Sequence, residues 1–286
     1  MATPRSASLQ QARSQAAQKA KRAATGGLIE GLERWGYVAR GVLYIIMGAL
    51  ALQLAAGSGV KTADPVGALQ VIAGEPYGKV LLAAMVVGLA GYSLWGLARG
   101  LFDALDKGSD VKGLLQRAGY LVSALSYGAL IIPAYQLLMR HASASQQTGN
   151  PRDITAQLMS RPDGIALVYL FGLFWVVAGA SQILAAITAS FMRDLTWSRM
   201  SANERRWAKT IGRIGYAARG VVYGLLAVFI LQAARTASPQ QAQGIDGVLM
   251  KLARGPYGQF ALGTVAAGLV LFGIYSVLSA RWYSIE

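Results

Sequence analysis

Six long apolar stretches alternate with short polar connectors along the chain. They run roughly over Gly36–Ala56, Gly78–Gly100, Gly119–Met139, Gly164–Ser190, Gly215–Ala234 and Gln259–Ala280. Each holds about 20 residues or more, enough at about 1.5 Å per residue to cross about 30 Å of hydrocarbon. A helix satisfies its backbone hydrogen bonds internally, so lipid tolerates it. The pattern predicts an all-α polytopic membrane protein of six transmembrane helices.

The stretches repeat in pairs. The first of each pair opens alike: Gly36-Tyr37-Val38-Ala39-Arg40-Gly41-Val42-Leu43-Tyr44, Gly119-Tyr120-Leu121-Val122-Ser123-Ala124-Leu125-Ser126-Tyr127 and Gly215-Tyr216-Ala217-Ala218-Arg219-Gly220-Val221-Val222-Tyr223. A glutamine follows in register each time: Gln53, Gln136 and Gln232. The second of each pair opens on a turn, Pro76-Tyr77-Gly78, Pro162-Asp163-Gly164 and Pro256-Tyr257-Gly258. Between the two lies a segment with helical spacing: Asp64 to Leu69, Asp153 to Leu158 and Asp246 to Leu252. It reads as a short surface helix, with the aspartate near its N-terminus where the helix dipole favours negative charge. Self-similarity of this kind decides an architecture.

These motifs resemble the repeat of domain-of-unknown-function family 1206, bacterial membrane modules found in three tandem copies. The Gly-Tyr-x-x-Arg-Gly-x-x-Tyr opening and the Pro-Tyr-Gly turn carry the resemblance, from about Trp35 onward. The middle copy departs from it, with Ser123 where Arg40 and Arg219 stand and Asp163 in place of the turn tyrosine. The resemblance implies a bacterial inner-membrane protein and brings no catalytic residues with it. Hairpins inserted in the same direction are parallel repeats, related by an axis along the membrane normal. The expectation is a pseudo-threefold arrangement of three helical hairpins. Its parts are a basic tail over 1–34, repeats over 35–105, 117–195 and 214–286, and a basic linker over 196–213.

Charge then orients the chain. The net charge is +14. The N-terminal segment carries six Lys and Arg, the second connector four, the fourth six, and Arg281 stands at the end; the other connectors carry two, three and three. Cytoplasmic loops hold such an excess, so both termini are expected in the cytoplasm. Trp35, Trp95, Trp197, Trp207 and Trp282 gather on that same side, where indoles favour the headgroup region. The basic balance therefore points to lipid headgroups and away from nucleic acid. The tail lacks an apolar core, so it is not read as a secretory signal.

Composition removes much chemistry. There is no cysteine and one histidine, His141. Thiolate metal sites, iron–sulfur clusters, cysteine nucleophiles and paired-histidine haem ligation are excluded. No span carries Asp or Glu, whereas proton-driven transport usually needs such a carboxylate. No cofactor, metal or catalytic constellation is expected, and the chain reads as a non-enzyme.

Polar groups inside the spans form the candidate site. Tyr37, Gly41, Tyr44, Gly48 and Ala55 share one helix face, and Tyr216, Gly220, Tyr223, Ala227 and Ala234 repeat it. That face is a packing seam of small residues, or a groove lined by tyrosines. Arg40 and Arg219 lie about one turn inside the membrane. They snorkel to headgroups or rest on Tyr44 and Tyr223 four residues on; alternatively they form an anion or lipid-phosphate site that Ser123 interrupts. Gln53, Gln136 and Gln232 are expected at the far boundary, either bonded to water or gathered in one layer. Pro133 removes a hydrogen bond and should kink the third span. The functional expectation is a scaffold or accessory subunit that binds a membrane partner or lipid. The alternative is a small-solute or anion channel along the threefold axis.

Overall fold

The computed structural model describes residues 27–58, 63–102, 111–140 and 151–282. The basic tail before Gly27 and His141 lie outside the described residues. Ten α-helices are described: α1 (Gly27–Ala55), α2 (Pro65–Gly74), α3 (Gly78–Phe102), α4 (Val111–Ala129), α5 (Ile131–Arg140), α6 (Pro151–Met159), α7 (Gly164–Thr188), α8 (Ala202–Arg235), α9 (Ile245–Ala253) and α10 (Gly258–Trp282). Six stretches among them are long and apolar enough to span a membrane, including α4 and α5 taken together. Their ends fall within a few residues of those predicted, except that α8 begins at Ala202. Ser201 caps that start in a reciprocal box with Glu204, and the helix runs about three turns before the predicted apolar stretch begins at Gly215.

The third span breaks where Pro133 demands it. Leu130 leaves the helical pattern and its amide bonds back to Tyr127, three residues earlier. The ring of Pro133 cannot donate to the carbonyl four residues before it, so the chain bends there.

The three short helices α2, α6 and α9 form on the side away from the termini, as the aspartate-led segments predict. Of the three aspartates, Asp64 caps its helix: its carboxylate accepts from the Gly67 amide at 2.6 Å. Burial pushes its carboxyl up from the ordinary range; the Gly67 bond opposes this and the charge of Asp246 adds to it. Such a group favours folding below its unfolded pKa, and that contribution is lost as pH rises through the higher folded value. Asp64→Asn keeps an acceptor and removes the charge, so thermal unfolding at pH 7 should show it more stable than wild type. Asp64→Ala loses the cap and should cost about 1 kcal/mol. Equal losses in both variants would show that the charge itself stabilises the fold.

The spans follow one another around the bundle in the order α4/α5, α3, α1, α10, α8, α7. This is the neighbour order of three hairpins in a ring, opened at one joint. Equivalent residues of the repeats build the contacts between hairpins. Gly273 of α10 meets Gly41 of α1, and a Cβ on Gly273 would stand 2.6 Å from the Gly41 carbonyl oxygen. Gly179 of α7 meets Gly220 and Gly224 of α8 in the same register, and Gly96 of α3 meets Ala124 of α4 within a turn of it. Small residues let backbones touch, which is what holds helices together where lipid removes the hydrophobic drive.

Within a hairpin the equivalence fails once. In the first repeat a Cβ on Gly36 would lie 2.6 Å from Tyr92 Cβ, and in the third one on Gly215 would lie 2.7 Å from Phe272 Cβ. Gly88 and Gly268 likewise receive Ala39 and Ala218. The middle repeat has Phe174 where those glycines stand, and a Cβ on Gly119 would meet nothing within 4 Å. A benzyl group in place of a hydrogen keeps the helices apart, and α4/α5 and α7 make no extended contact among the described residues. The expected pseudo-threefold bundle is thus an open ring, with a slot between α4/α5 and α7.

The segment between α7 and α8 is drawn into the bundle. Ala189 takes a left-handed conformation (φ 53°) and turns the chain inward. Phe191, Met192, Leu195 and Met200 are buried, and the Thr196 amide donates to the Trp282 carbonyl at 2.7 Å. Phe191 stacks on Tyr216 at 4.7 Å and closes the terminal-side end of the bundle centre.

Candidate functional site

Tyr37, Arg40 and Tyr44 stand three and four residues apart, so α1 presents them on one face, and α8 presents Tyr216, Arg219 and Tyr223 the same way. The open ring turns both faces inward. Arg40 is 6% exposed. Its Nε donates to Ser276 Oγ at 2.8 Å and a terminal nitrogen donates to the Tyr92 hydroxyl at 2.9 Å. The guanidinium carbon lies 4.6 Å from the ring centre of Tyr37, 5.3 Å from Tyr92 and 5.2 Å from Phe272. Arg40 therefore neither snorkels nor rests on Tyr44. The partners that satisfy it come from α3 and α10, which sequence spacing along α1 does not reveal.

Arg219 does lie on the tyrosine four residues on, as expected, and donates to the Tyr223 hydroxyl. Its guanidinium carbon is 5.1 Å from the Tyr223 ring centre, 5.2 Å from Tyr44 and 4.3 Å from Phe272. The hydroxyls of Tyr44 and Tyr223 stand 3.4 Å apart. Phe272, fully buried, is shared by both cations. The two guanidinium carbons therefore lie no more than 9.5 Å apart, the sum of 5.2 and 4.3 Å.

This pair carries two positive charges, and no carboxylate pairs with either among the described residues. At an effective dielectric constant of about 20, two like charges 9.5 Å apart repel by about 1.7 kcal/mol, and more if they are closer. Aromatic faces offset part of this, at about 2 kcal/mol for a desolvated contact. What the cluster lacks is negative charge. Two guanidiniums flanked by tyrosine hydroxyls form a donor-rich cationic cluster, whose chemical complement is an oxyanion.

The space around the cluster is otherwise full. Tyr37, Arg40, Tyr216, Tyr275, Ser279 and Phe191 surround a cavity with room for about one water molecule. Tyr275 extends the aromatic cluster and donates weakly to the Phe191 carbonyl at 3.4 Å. The glutamines do not join it. Gln53 and Gln232 are exposed and Gln136 is half-buried, so no buried glutamine layer forms. Two exposed amides bond water at no cost, whereas a buried layer would need every amide paired. Pro133 is buried in the bend of the third span, remote in sequence from either arginine.

Tyr92 and Phe272, which cradle the arginines, escape a reading of the first helices alone. A signal for them exists: each stands fourteen residues beyond its turn glycine, Gly78 or Gly258, where the middle repeat has Ala178. Ser276 and Phe191 leave no comparable trace.

Comparison with known families follows the same three units. The model of Domain of Unknown Function (DUF1206) matches residues 35–103, 118–189 and 214–283. The chain belongs to this family. The uncharacterized protein YxxB of Bacillus subtilis (strain 168) is 32% identical over 247 residues, covering 86% of this chain and 88% of the relative. No solved structure matches. In DUF1206 terms, the first and third domains supply the arginines and the second supplies the slot.

Proposed function

We propose that this multi-pass protein is a non-enzymatic scaffold or accessory subunit of the bacterial inner membrane, with both termini cytoplasmic, and that its central arginine pair holds an anionic ligand. The observation that carries this reading is the sharing of Phe272 by Arg40 and Arg219, with no carboxylate paired to either among the described residues. Buried charge is costly in a membrane, about 2.5–3.5 kcal/mol for each residue on insertion scales. A bound anion would relieve both the burial and the mutual repulsion. The orientation rests on the excess of Lys and Arg in the terminal-side connectors.

The test is thermal unfolding of the delipidated protein against inorganic phosphate and against an anionic phospholipid in mixed micelles. At least one should raise the unfolding temperature of wild type and leave the Arg40→Met, Arg219→Met double variant unmoved. Indifference of wild type to both would end the proposal.

Conduction along the axis finds less support, because rings of Tyr44, Tyr223 and Phe272 fill the centre. The natural absence of cysteine allows a direct check. Ala227, 2% exposed, is a mid-membrane position; Ala227→Cys should resist a membrane-impermeant thiol reagent from either side. Rapid labelling would mean that water reaches the centre, and would favour a pore.

A further inference from the structure

The two arginines are not equally satisfied, and the difference falls beside the slot. Arg40 is sealed, and its Nε has Ser276 Oγ. Arg219 is half-buried, and its Nε is buried with no hydrogen-bond partner among the described residues. By repeat register the counterpart of Ser276 is Gln182 of α7, whose Oε1 is also buried and unpartnered. The indole Nε1 of Trp175, whose ring lies 5.0 Å from that of Tyr223, is a third such atom. Unpaired buried polar atoms are uncommon and call for an explanation; two of these three, Arg219 Nε and Trp175 Nε1, are donors, and Gln182 Oε1 is an acceptor. All three atoms belong to α7 or α8, the helices on one side of the open joint. On the other side is Tyr127, the middle repeat's residue in register with Tyr44 and Tyr223, packed at 4.9 Å on the Tyr92 that holds Arg40.

The slot opens sideways, into the hydrocarbon. Its helices are the least buried of the six spans, 28% for the third and 17% for the fourth. Both expose apolar side chains, among them Leu125, Ile132, Leu173 and Val177. Arg219 lies four residues from Gly215, about 6 Å along the helix from the terminal-side boundary, within reach of headgroups. A ligand that fits must bring apolar chains for the walls and negative charge for the donors. Phosphate-bearing lipid has both, and charge complementarity favours it over a neutral helix of a second copy.

We propose that an anionic phospholipid enters between α4/α5 and α7 and lays its phosphate against Arg219. This rests on the anion reading above and names its ligand and route. Arg40 acts there as a fixed second charge behind Arg219. The middle repeat has Ser123 at the arginine position and no extended hairpin contact; the smaller side chain leaves room for a headgroup and the missing contact admits the chains.

The experiment uses native mass spectrometry and thermal unfolding of the full-length, delipidated chain, titrated with phosphatidylglycerol, phosphatidylcholine or inorganic phosphate. Phosphatidylglycerol is expected to bind one to one, more tightly than phosphatidylcholine. Arg219→Gln should weaken it about 30-fold or more. Gly119→Trp, at a position with open space in front of it, should abolish lipid binding by filling the slot while leaving lipid-free unfolding unchanged. Stabilisation by inorganic phosphate alone would overturn the lipid assignment and leave the anion site standing. Phosphatidylglycerol bound equally well by Gly119→Trp would overturn the route, and a lipid-free dimer joined through α7 would overturn the occupant. No response to any of the three would remove both this inference and the reading beneath it.

Discussion

Gly41→Leu is expected to abolish a monodisperse, folded protein in mild detergent, while Gly224→Ala leaves it unchanged. A Cβ on Gly41 would stand 2.5 Å from Val277 Cγ2, 2.7 Å from the Gly273 carbonyl oxygen and 3.0 Å from the Val277 amide nitrogen. Two of those atoms are backbone, so no rotamer change relieves the overlap and α1 and α10 must separate. Gly48 repeats the constraint two turns on, with the Val270 amide at 2.8 Å and the Ala266 carbonyl at 2.9 Å. This is the most extensive contact in the bundle, and it closes the first repeat onto the third. Overpacking typically costs about 1–3 kcal/mol, and rigid backbone on both sides puts this case at or above the upper end. Such a loss is a large share of the roughly 5–15 kcal/mol that holds most folds. Nothing lies within 4 Å of a Cβ on Gly224, and alanine there removes backbone freedom from the unfolded chain. Size-exclusion profiles and unfolding temperatures would decide it. A well-behaved Gly41→Leu would mean that close backbone approach is not what joins the repeats.

The same seam shows how far the sequence can be read. Spans, turns, surface helices and the bend at Pro133 were all legible, because each follows from period, length or a single residue's covalent geometry. The glycine face of α1 was legible too, since helical spacing places Gly41 and Gly48 together. Which helix meets that face is a tertiary fact, and the answer is α10. The fate of Arg40 turns on it: α10 brings Ser276 and Phe272, so the side chain folds inward instead of reaching for headgroups. The regular spacing of Gln53, Gln136 and Gln232 left two readings open, water or one shared layer, and their exposure fits the first. The open joint was present in the sequence as Phe174 against Gly88 and Gly268. It became readable once the contacts of those glycines were known.

Replacing both arginines by methionine is expected to leave the lipid-free protein at least as stable as wild type, by roughly 1–4 kcal/mol if buried charge behaves here as elsewhere. The side chain is apolar, flexible and unbranched, so it can occupy the arginine stem's volume against Tyr37, Tyr44 and Phe272. Lost are the bonds from Arg40 to Ser276 and Tyr92 and from Arg219 to Tyr223, each worth about 1.5–3 kcal/mol when charged. Gained are the relief of two desolvated charges and of their repulsion of about 1.7 kcal/mol or more. Arg40→Ala should behave differently: it loses the same donor as methionine does but also opens a cavity that methionine would fill, so a loss of several kcal/mol is expected. Chemical and thermal unfolding in neutral detergent would compare the three proteins. Charge kept at a cost to stability is charge kept for something outside the fold, and that is the logic on which the anion site depends. A double methionine variant several kcal/mol less stable than wild type would make the arginines structural struts, held by tyrosine rings and hydroxyls alone, and the cluster would need no ligand to explain it.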